Sequence, residues 1–174
     1  MLPQLAKIGV APERIGWVGV SHRHGDHFGQ AARFGSATLV IGRADWAAIR
    51  SSSEDAALMK PWTEGRARVV EVDGDQDLFG DGRVVMIATP GHTEGHHSLV
   101  VHLASGTVLL TGDAVHFREQ LASGKPSGNS TDKAAGARSI QRMLEIERRL
   151  PAKIVVQHDP EDIAKLPLFP TSAR

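Results

Sequence analysis

The chain contains no cysteine and no tyrosine among its 174 residues, and only 5% of the residues are aromatic. Without cysteine, neither a disulfide framework nor a thiolate zinc site can form. The 20 lysine and arginine residues are balanced by 20 aspartate and glutamate residues. The sequence therefore has no excess of positive charge with which to bind nucleic acid or an anionic membrane. No stretch of about 18 consecutive apolar residues is present, which argues against a transmembrane helix. These absences favour a small molecule as the partner.

The length and the hydrophobic content of 41% are typical of a globular protein. A chain of this size buries roughly 70% of the surface that it exposes when unfolded, so a hydrophobic core can form without disulfides. We therefore predict a single domain that spans residues 1–174. Residues 1–10 contain one lysine and no apolar segment of the kind found in signal peptides, and we expect a cytoplasmic protein.

Short β-branched runs alternate with segments of helical periodicity, which predicts an α/β fold. The predicted strands cover residues 15–20, 37–41, 69–72, 84–88, 98–103, 108–111 and 153–157. The predicted helices cover residues 2–8, 26–34, 43–49 and 132–150, with a short last helix after Asp159. Residues 51–66 are polar and interrupted by proline, which predicts a helical turn and a loop at the rim of a site. Residues 118–131 lack periodicity and predict a long surface loop.

Histidine is the residue on which the functional interpretation depends, since three of the nine histidines lie within six positions. They form the motif His22-x-His24-x-Asp26-His27 directly after a predicted strand. Alternate residues of an extended segment point the same way, so His22 and His24 can bind one ion. Asp26 and His27 follow a turn at Gly25 and face a neighbouring position. Imidazole and carboxylate groups are ligands that zinc accepts where no thiolate is available.

Three further ligand-type residues each follow a predicted strand, two of them directly after a glycine and the third two residues before Pro160. They are His92 in the segment TPGH (89–92), Asp113 in TGD (111–113) and His158 in QHD (157–159). The pattern predicts a centre for metal ions at which water is activated without a serine or cysteine nucleophile.

With these segments in this order, the chain resembles the metallo-β-lactamase superfamily of hydrolases. The resemblance implies an αββα sandwich with two divalent metal ions, which we expect to be zinc, at one edge. It implies that the first ion is held by His22, His24 and His92. It implies that the second is held by Asp26, His27 and His158, with Asp113 bridging the two.

Within the superfamily, residues 89–98, 110–119, 157–159 and 162–170 are similar to the N-acyl homoserine lactone lactonases. The resemblance implies that a bridging hydroxide attacks the lactone carbonyl and that Asp26 shuttles the proton. The better-known lactonases carry a tyrosine three residues after the bridging aspartate, where this chain has His116. Either His116 donates the same hydrogen bond to the substrate carbonyl, or the substrate differs. The predicted catalytic residues are thus Asp26, Asp113 and His116.

Only 21 residues precede His22, whereas superfamily members place several strands before this motif. We therefore expect the first half of the sandwich to be incomplete. Either the start is assigned too late, or a partner chain covers the exposed sheet, as in a homodimer. Two other functions stay open: a thioester or ester hydrolase similar to glyoxalase II, and a metal-binding remnant without catalytic activity.

Overall fold

The computed structural model describes residues 1–173 and contains two β-sheets with helices on their outer faces. The strands are β1 (Trp17–Val20), β2 (Thr38–Gly42), β3 (Val69–Val72), β4 (Gln76–Asp77), β5 (Val84–Ala88), β6 (His97–Leu103), β7 (Gly106–Leu110) and β8 (Lys153–Val155). The helices are α1 (Leu2–Lys7), α2 (Gly25–Phe28), α3 (Arg43–Ser51), α4 (Ser53–Leu58), α5 (Lys60–Thr63), α6 (Arg118–Ser123), α7 (Lys133–Arg149) and α8 (Pro160–Ile163). Within the described residues, no helix is both long enough and apolar enough to cross a membrane.

The first sheet has the order β1-β2-β3, and its strands are parallel. Val18 lies opposite Leu39, and Leu39 lies opposite Val69. Parallel neighbours cannot be joined by a tight turn, so each connection in this sheet carries helical segments. Strands β1 and β3 are the two edge strands of this sheet.

The second sheet has the order β4-β5-β6-β7-β8. Strands β4 to β7 pair antiparallel, whereas β8 pairs parallel to β7. Because β5 and β7 both run opposite to β6, the carboxyl ends of β5, β7 and β8 lie at the same edge of the sheet. This edge is where the loops that begin with residues 89, 111 and 156 emerge.

The side chains of β2 alternate between two layers of the core, as the period of a strand requires. Leu39 and Ile41 pack with Trp46 and Ile49 of α3, while Val40 packs towards the second sheet. The layer between the sheets is thin: its buried residues are Val40, Val72 and Met86.

The outer face of the second sheet packs on α7. Val100 and Leu109 from the sheet are buried against Ile140 and Met143 from the helix. The helix begins at Asp132, whose carboxylate accepts a hydrogen bond from the Ala135 N–H at 2.9 Å, as its N-cap position requires. The order helix, sheet, sheet, helix confirms the predicted αββα architecture.

The prediction of a continuous loop over residues 118–131 is wrong, because the segment begins with α6. The Gln120 side-chain oxygen accepts hydrogen bonds from the backbone N–H groups of His116 and Phe117, at 2.7 and 3.0 Å. The helix ends at Gly124, whose φ of +66° is a left-handed conformation that favours glycine. A side-chain contact with the backbone therefore starts this short helix where no hydrophobic period marks it.

The prediction for residues 51–66 is also wrong, since this segment forms α4 and α5 and belongs to the core. Met59 and Trp62 are buried in the same layer as α3. The Trp62 indole N–H donates a hydrogen bond to the Ala37 carbonyl at 2.9 Å. The predicted helix over residues 26–34 is broken into α2 and a 3-10 turn at Ala31–Phe34.

Candidate metal centre

Four ligand-type side chains converge where β1, β5 and β7 end. They are His22, His24, His92 and Asp113, and a ligand atom from each lies within 4.8 Å of the others. His24 Nδ1 lies 3.0 Å from His22 Nε2 and 2.9 Å from His92 Nε2. His22 and His92 are almost fully buried.

A second group of three lies beside the first and consists of Asp26, His27 and His158. Asp26 and His27 occupy the short helix α2, and His158 follows β8. His27 Nε2 lies 3.3 Å from Asp26 Oδ2. In contrast to the first group, this group is open to solvent, with 67% of the Asp26 side chain and 40% of the His158 side chain exposed.

The Asp113 carboxylate lies between the two groups and directs one oxygen at each. Its Oδ2 lies 3.7 Å from His22 Nε2 and 3.5 Å from His92 Nε2. Its Oδ1 lies 3.2 Å from His27 Nε2 and 3.1 Å from His158 Nε2. A carboxylate in this position can contact two cations at once.

Burial and hydrogen bonding prepare the side chains to bind cations. Burial lowers the pKa of His22 to about 2 and that of His92 to about 4. Burial on its own would raise the pKa of Asp113, but hydrogen bonds from His116 and His27 outweigh it and hold the pKa below its usual value. A hydrogen bond to Asp113 raises the pKa of His27. At neutral pH, His22 and His92 are neutral and carry lone pairs, while Asp113 is ionised.

The donor set fits divalent ions on two observations. A neutral imidazole has one N–H, so the three ring nitrogens that meet at His24 Nδ1 cannot all be satisfied by hydrogen bonds to one another. Furthermore, the Nδ1 atoms of His92 and His116 are buried and have no hydrogen-bond partner among the described residues. Converging imidazole lone pairs with a shared carboxylate form a zinc-type ligand set.

The hydroxyl of Ser21, a residue that the sequence analysis did not select, lies behind both groups. Its Oγ lies 3.0 Å from His22 Nδ1 and 3.3 Å from His27 Nδ1. A partner on the outer nitrogen of a ligand histidine fixes the orientation of the ring. Ser21 therefore links one histidine of each group.

Asp113 is held from behind by His96, a buried residue of the segment 89–98. The Asp113 N–H donates to His96 Nε2 at 3.0 Å, so the ring proton must lie on Nδ1, 2.9 Å from Thr89 Oγ1. Thr89 then donates to Ser98 Oγ at 2.8 Å, and Ser98 donates to the Thr111 carbonyl at 2.7 Å. Burial lowers the pKa of His96 to about 3, in agreement with this neutral tautomer.

Asp45 on α3 is a second residue that the sequence analysis missed. It is 1% exposed, and its carboxylate accepts hydrogen bonds from the Arg23 N–H at 3.1 Å, the Thr93 hydroxyl at 2.6 Å and the Gly95 N–H at 3.1 Å. The chain passes so close that a Cβ at Gly95 would lie 2.6 Å from the Asp45 nitrogen. Asp45 thus joins the loop of His22 and His24 to the loop of His92. An acidic residue in the first turn of a helix was the only local signal.

The structure brings the eight predicted site residues to one edge of the sandwich, His116 included. His116 Nε2 lies 3.3 Å from Asp113 Oδ2, and its ring stacks on that of His158 with a centroid distance of 5.2 Å. The fold and the site together are those of a metal-dependent protein: an αββα sandwich with metal-type donor groups on the loops at one edge.

The chain belongs to the metallo-beta-lactamase superfamily, whose family model matches residues 1–158. Among curated proteins, it is 30% identical to the N-acyl homoserine lactonase AttM of Azorhizobium caulinodans, over 91% of this chain and 63% of the relative. It is 29% identical to an N-acyl homoserine lactonase of Bacillus sp., over 95% of this chain and 64% of the relative. The chain therefore spans less than two thirds of the length of these relatives.

Solved structures show the same fold. An N-acyl homoserine lactone hydrolase, with the product N-hexanoyl-L-homoserine bound at its catalytic metal centre, superposes with a TM-score of 0.81 and 26% identity. The match covers 96% of this chain and 65% of that protein. A quorum-quenching N-acyl homoserine lactone lactonase gives a TM-score of 0.83 with 25% identity, over 99% of this chain and 70% of that one.

Proposed function

We propose that this chain is a dinuclear metal-dependent hydrolase that opens a lactone ring, with N-acyl homoserine lactone as the substrate. The observation that carries the proposal is the Asp113 carboxylate, which directs Oδ2 at His22 and His92 and Oδ1 at His27 and His158. Relatives that are named lactonases and share this fold support the choice of substrate.

His22, His24 and His92 would hold the first ion, and Asp26, His27 and His158 the second, with Asp113 shared. When bound, two divalent ions supply a water of lowered pKa and polarise the ester carbonyl. Zinc suits a set of neutral imidazoles and carboxylates without thiolates.

Asp26 is the group that we propose to move the proton. Its side chain is 67% exposed, so it faces incoming substrate, and its Oδ2 lies 3.3 Å from His27 Nε2, which holds it at the centre. Ring opening adds water across the ester: the carbonyl carbon gains a hydroxyl oxygen, and the ring C–O bond breaks. Asp26 would take the proton released from the attacking water and deliver it to the departing alkoxide oxygen.

A cavity of about 610 Å³ adjoins the second group and supports an acylated substrate. Asp26 and His27 lie at one side of it. Most of the other lining side chains are apolar and include Leu5, Trp17, Val18 and Phe34, while Gln4 and Gln30 add polar groups. Ligand sites of this kind combine apolar walls with a few polar groups that fix orientation.

The test compares two substrates on the chain after loading with zinc: N-hexanoyl homoserine lactone and an acyl-glutathione thioester. We expect hydrolysis of the lactone to be preferred, and Asp113→Ala to lower the rate by about a thousandfold or more, since both ion positions share this residue. The control is His102→Ala, which replaces a histidine on strand β6, away from the centre, and should leave the rate unchanged.

Preference for the thioester would replace the lactonase proposal by a hydrolase similar to glyoxalase II. Absence of turnover from a folded chain that holds two ions would favour a metal-binding remnant. Elemental analysis of the same sample measures both the number of ions and their identity.

A further inference from the structure

We propose that His116 is an additional metal ligand, which completes a third donor set with Asp113 and His158 on the open side of the centre. This inference rests on the proposed two-ion centre and extends its ligands from seven to eight. It replaces the expectation that His116 donates a hydrogen bond to the substrate carbonyl.

The distances place His116 among the donor atoms of the centre. Ligand atoms of Asp113, His116 and His158 all lie within 4.8 Å of one another, as they do in the two groups described above. His116 Nε2 lies 3.3 Å from Asp113 Oδ2, which is closer than His92 Nε2 at 3.5 Å or His22 Nε2 at 3.7 Å. Asp113 Oδ2 therefore lies at least as close to His116 as to the two histidines of the first group.

The orientation of the His116 ring also fits that of a ligand. The rings of His116 and His158 are stacked, with 17° between their planes and 5.2 Å between their centroids. Each ring also directs Nε2 at the Asp113 carboxylate, at 3.3 and 3.1 Å. Two parallel imidazoles that meet one carboxylate place nitrogen donors around a common volume.

The second ring nitrogen distinguishes His116 from the buried histidines outside the donor sets. The buried histidines outside the donor sets have both nitrogens engaged: His96 contacts the Asp113 N–H and Thr89, and His97 contacts the carbonyls of Gly95 and Gly74. His116 instead leaves a buried Nδ1 without a hydrogen-bond partner among residues 1–173.

His92 shows the same property, and it belongs to the first donor set. An unpaired buried polar atom costs about 1 to 3 kcal/mol, and the contact of His116 Nε2 with Asp113 leaves the Nδ1 atom of the same ring without a partner.

The backbone at His116 is fixed independently of any ligand. The His116 N–H donates to Gln120 Oε1 at 2.7 Å, and the Phe117 N–H donates to the same oxygen at 3.0 Å. Helix α6 thereby sets the distance of His116 from the centre. Since Nε2 already faces Asp113 and 18% of the side chain is exposed, the ring is poorly placed to direct an N–H outward to a substrate.

The test measures metal affinity and does not require turnover. The parent chain, His116→Ala, His116→Gln and the control His102→Ala are titrated with zinc in competition with a chromophoric chelator. We expect both His116 variants to bind one of the two ions at least about tenfold more weakly, since even an indirect contact to a ligand contributes this much. The other ion and the control should be unaffected. Cobalt(II) spectra of the same variants should change in the same two cases.

His116→Gln is the deciding variant because it keeps an N–H donor and removes the imidazole. If glutamine preserves both zinc affinities and the cobalt spectrum, His116 is not a ligand and the inference is overturned. Far-UV circular dichroism of each metal-free variant checks that the fold is intact. Should His116→Ala fail to fold, His116→Gln still decides the question.

The outcome is separable from that of the proposed function. Binding of two ions with His116-dependent affinity, but without lactone turnover, would leave the ligand in place and remove the lactonase proposal. If lactone turnover falls in His116→Gln while the metal affinity is unchanged, the lactonase proposal stays and His116 is not a metal ligand. Fewer than two ions on the parent chain would overturn both.

Discussion

Replacement of Asp45 should cost more stability than that of most polar residues in the chain, because its carboxylate joins two ligand loops from a fully buried position. Asp45→Ala removes the acceptor for the Arg23 N–H, the Thr93 hydroxyl and the Gly95 N–H. Hydrogen bonds to a charged group contribute about 1.5 to 3 kcal/mol each, and water entering the vacated space recovers part of the loss. We expect the free energy of unfolding to fall by about 4 kcal/mol, a large share of the 5 to 15 kcal/mol typical of a domain.

Asp45→Asn separates charge and hydrogen bonding from size. Oδ2 accepts from both Arg23 and Thr93, whereas Oδ1 accepts from Gly95. An amide with its oxygen at the Oδ2 position keeps two of these bonds and turns an N–H towards the Gly95 N–H. The expected loss is about 2 kcal/mol.

The assay is urea unfolding of the metal-free parent, both Asp45 variants and the exposed control Glu54→Ala, which should change stability by less than about 0.5 kcal/mol. Metal affinity of the folded variants should also fall, since the loops of His22 and His92 lose their shared acceptor. A cost below about 1 kcal/mol for Asp45→Ala would show that the three hydrogen bonds do not hold the loops together.

Three other predictions concern residues behind the ligands. Gly112→Ala should lower stability by about 2 kcal/mol in urea unfolding, because φ is +56° and the new Cβ would lie 2.7 Å from His96 Nε2. Ser21→Ala should weaken metal binding by about 10- to 100-fold in chelator competition, and Ser105→Ala on an exposed turn should not; equal affinities would refute a role for the Ser21 hydroxyl. The pKa of His96 is lowered to about 3 from 6.5, so the unfolded chain binds the extra proton as pH falls below 6.5. The free energy of unfolding should therefore fall by up to about 1.4 kcal/mol per pH unit between pH 6.5 and 3. This fall should be smaller in His96→Gln. An unchanged pH dependence in the variant would contradict a buried neutral ring.

The layers of the fold were predictable because strands and helices differ in their hydrophobic period, as β2 and α7 show. The positions of the ligand-type residues were predictable too, since each follows a strand and the carboxyl ends of parallel strands meet at one edge. Asp45 could not be found in this way. Its partners Arg23, Thr93 and Gly95 lie 22, 48 and 50 residues away, and no local pattern records such contacts.

The short helices were missed for a related physical reason. Helix α6 has six residues, too few for a hydrophobic period to develop, and a side chain that binds the backbone near its start helps to define it. Residues 51–66 are polar along the chain, yet Met59 and Trp62 anchor them in the core. These two apolar side chains hold the segment in the core. Because they are isolated in the sequence, they do not form a hydrophobic period that predicts burial.

The contact between His24 and His92 joins residues that are 68 positions apart in a chain that has no cysteine. An ion held by both would close a long loop of polypeptide, as a disulfide does, and a closure of this length restricts the unfolded chain by about 4 kcal/mol. The metal centre would then act as a reversible cross-link between sheets whose shared buried layer is small. Resistance of the protein to proteolysis would accordingly follow the supply of metal in its surroundings.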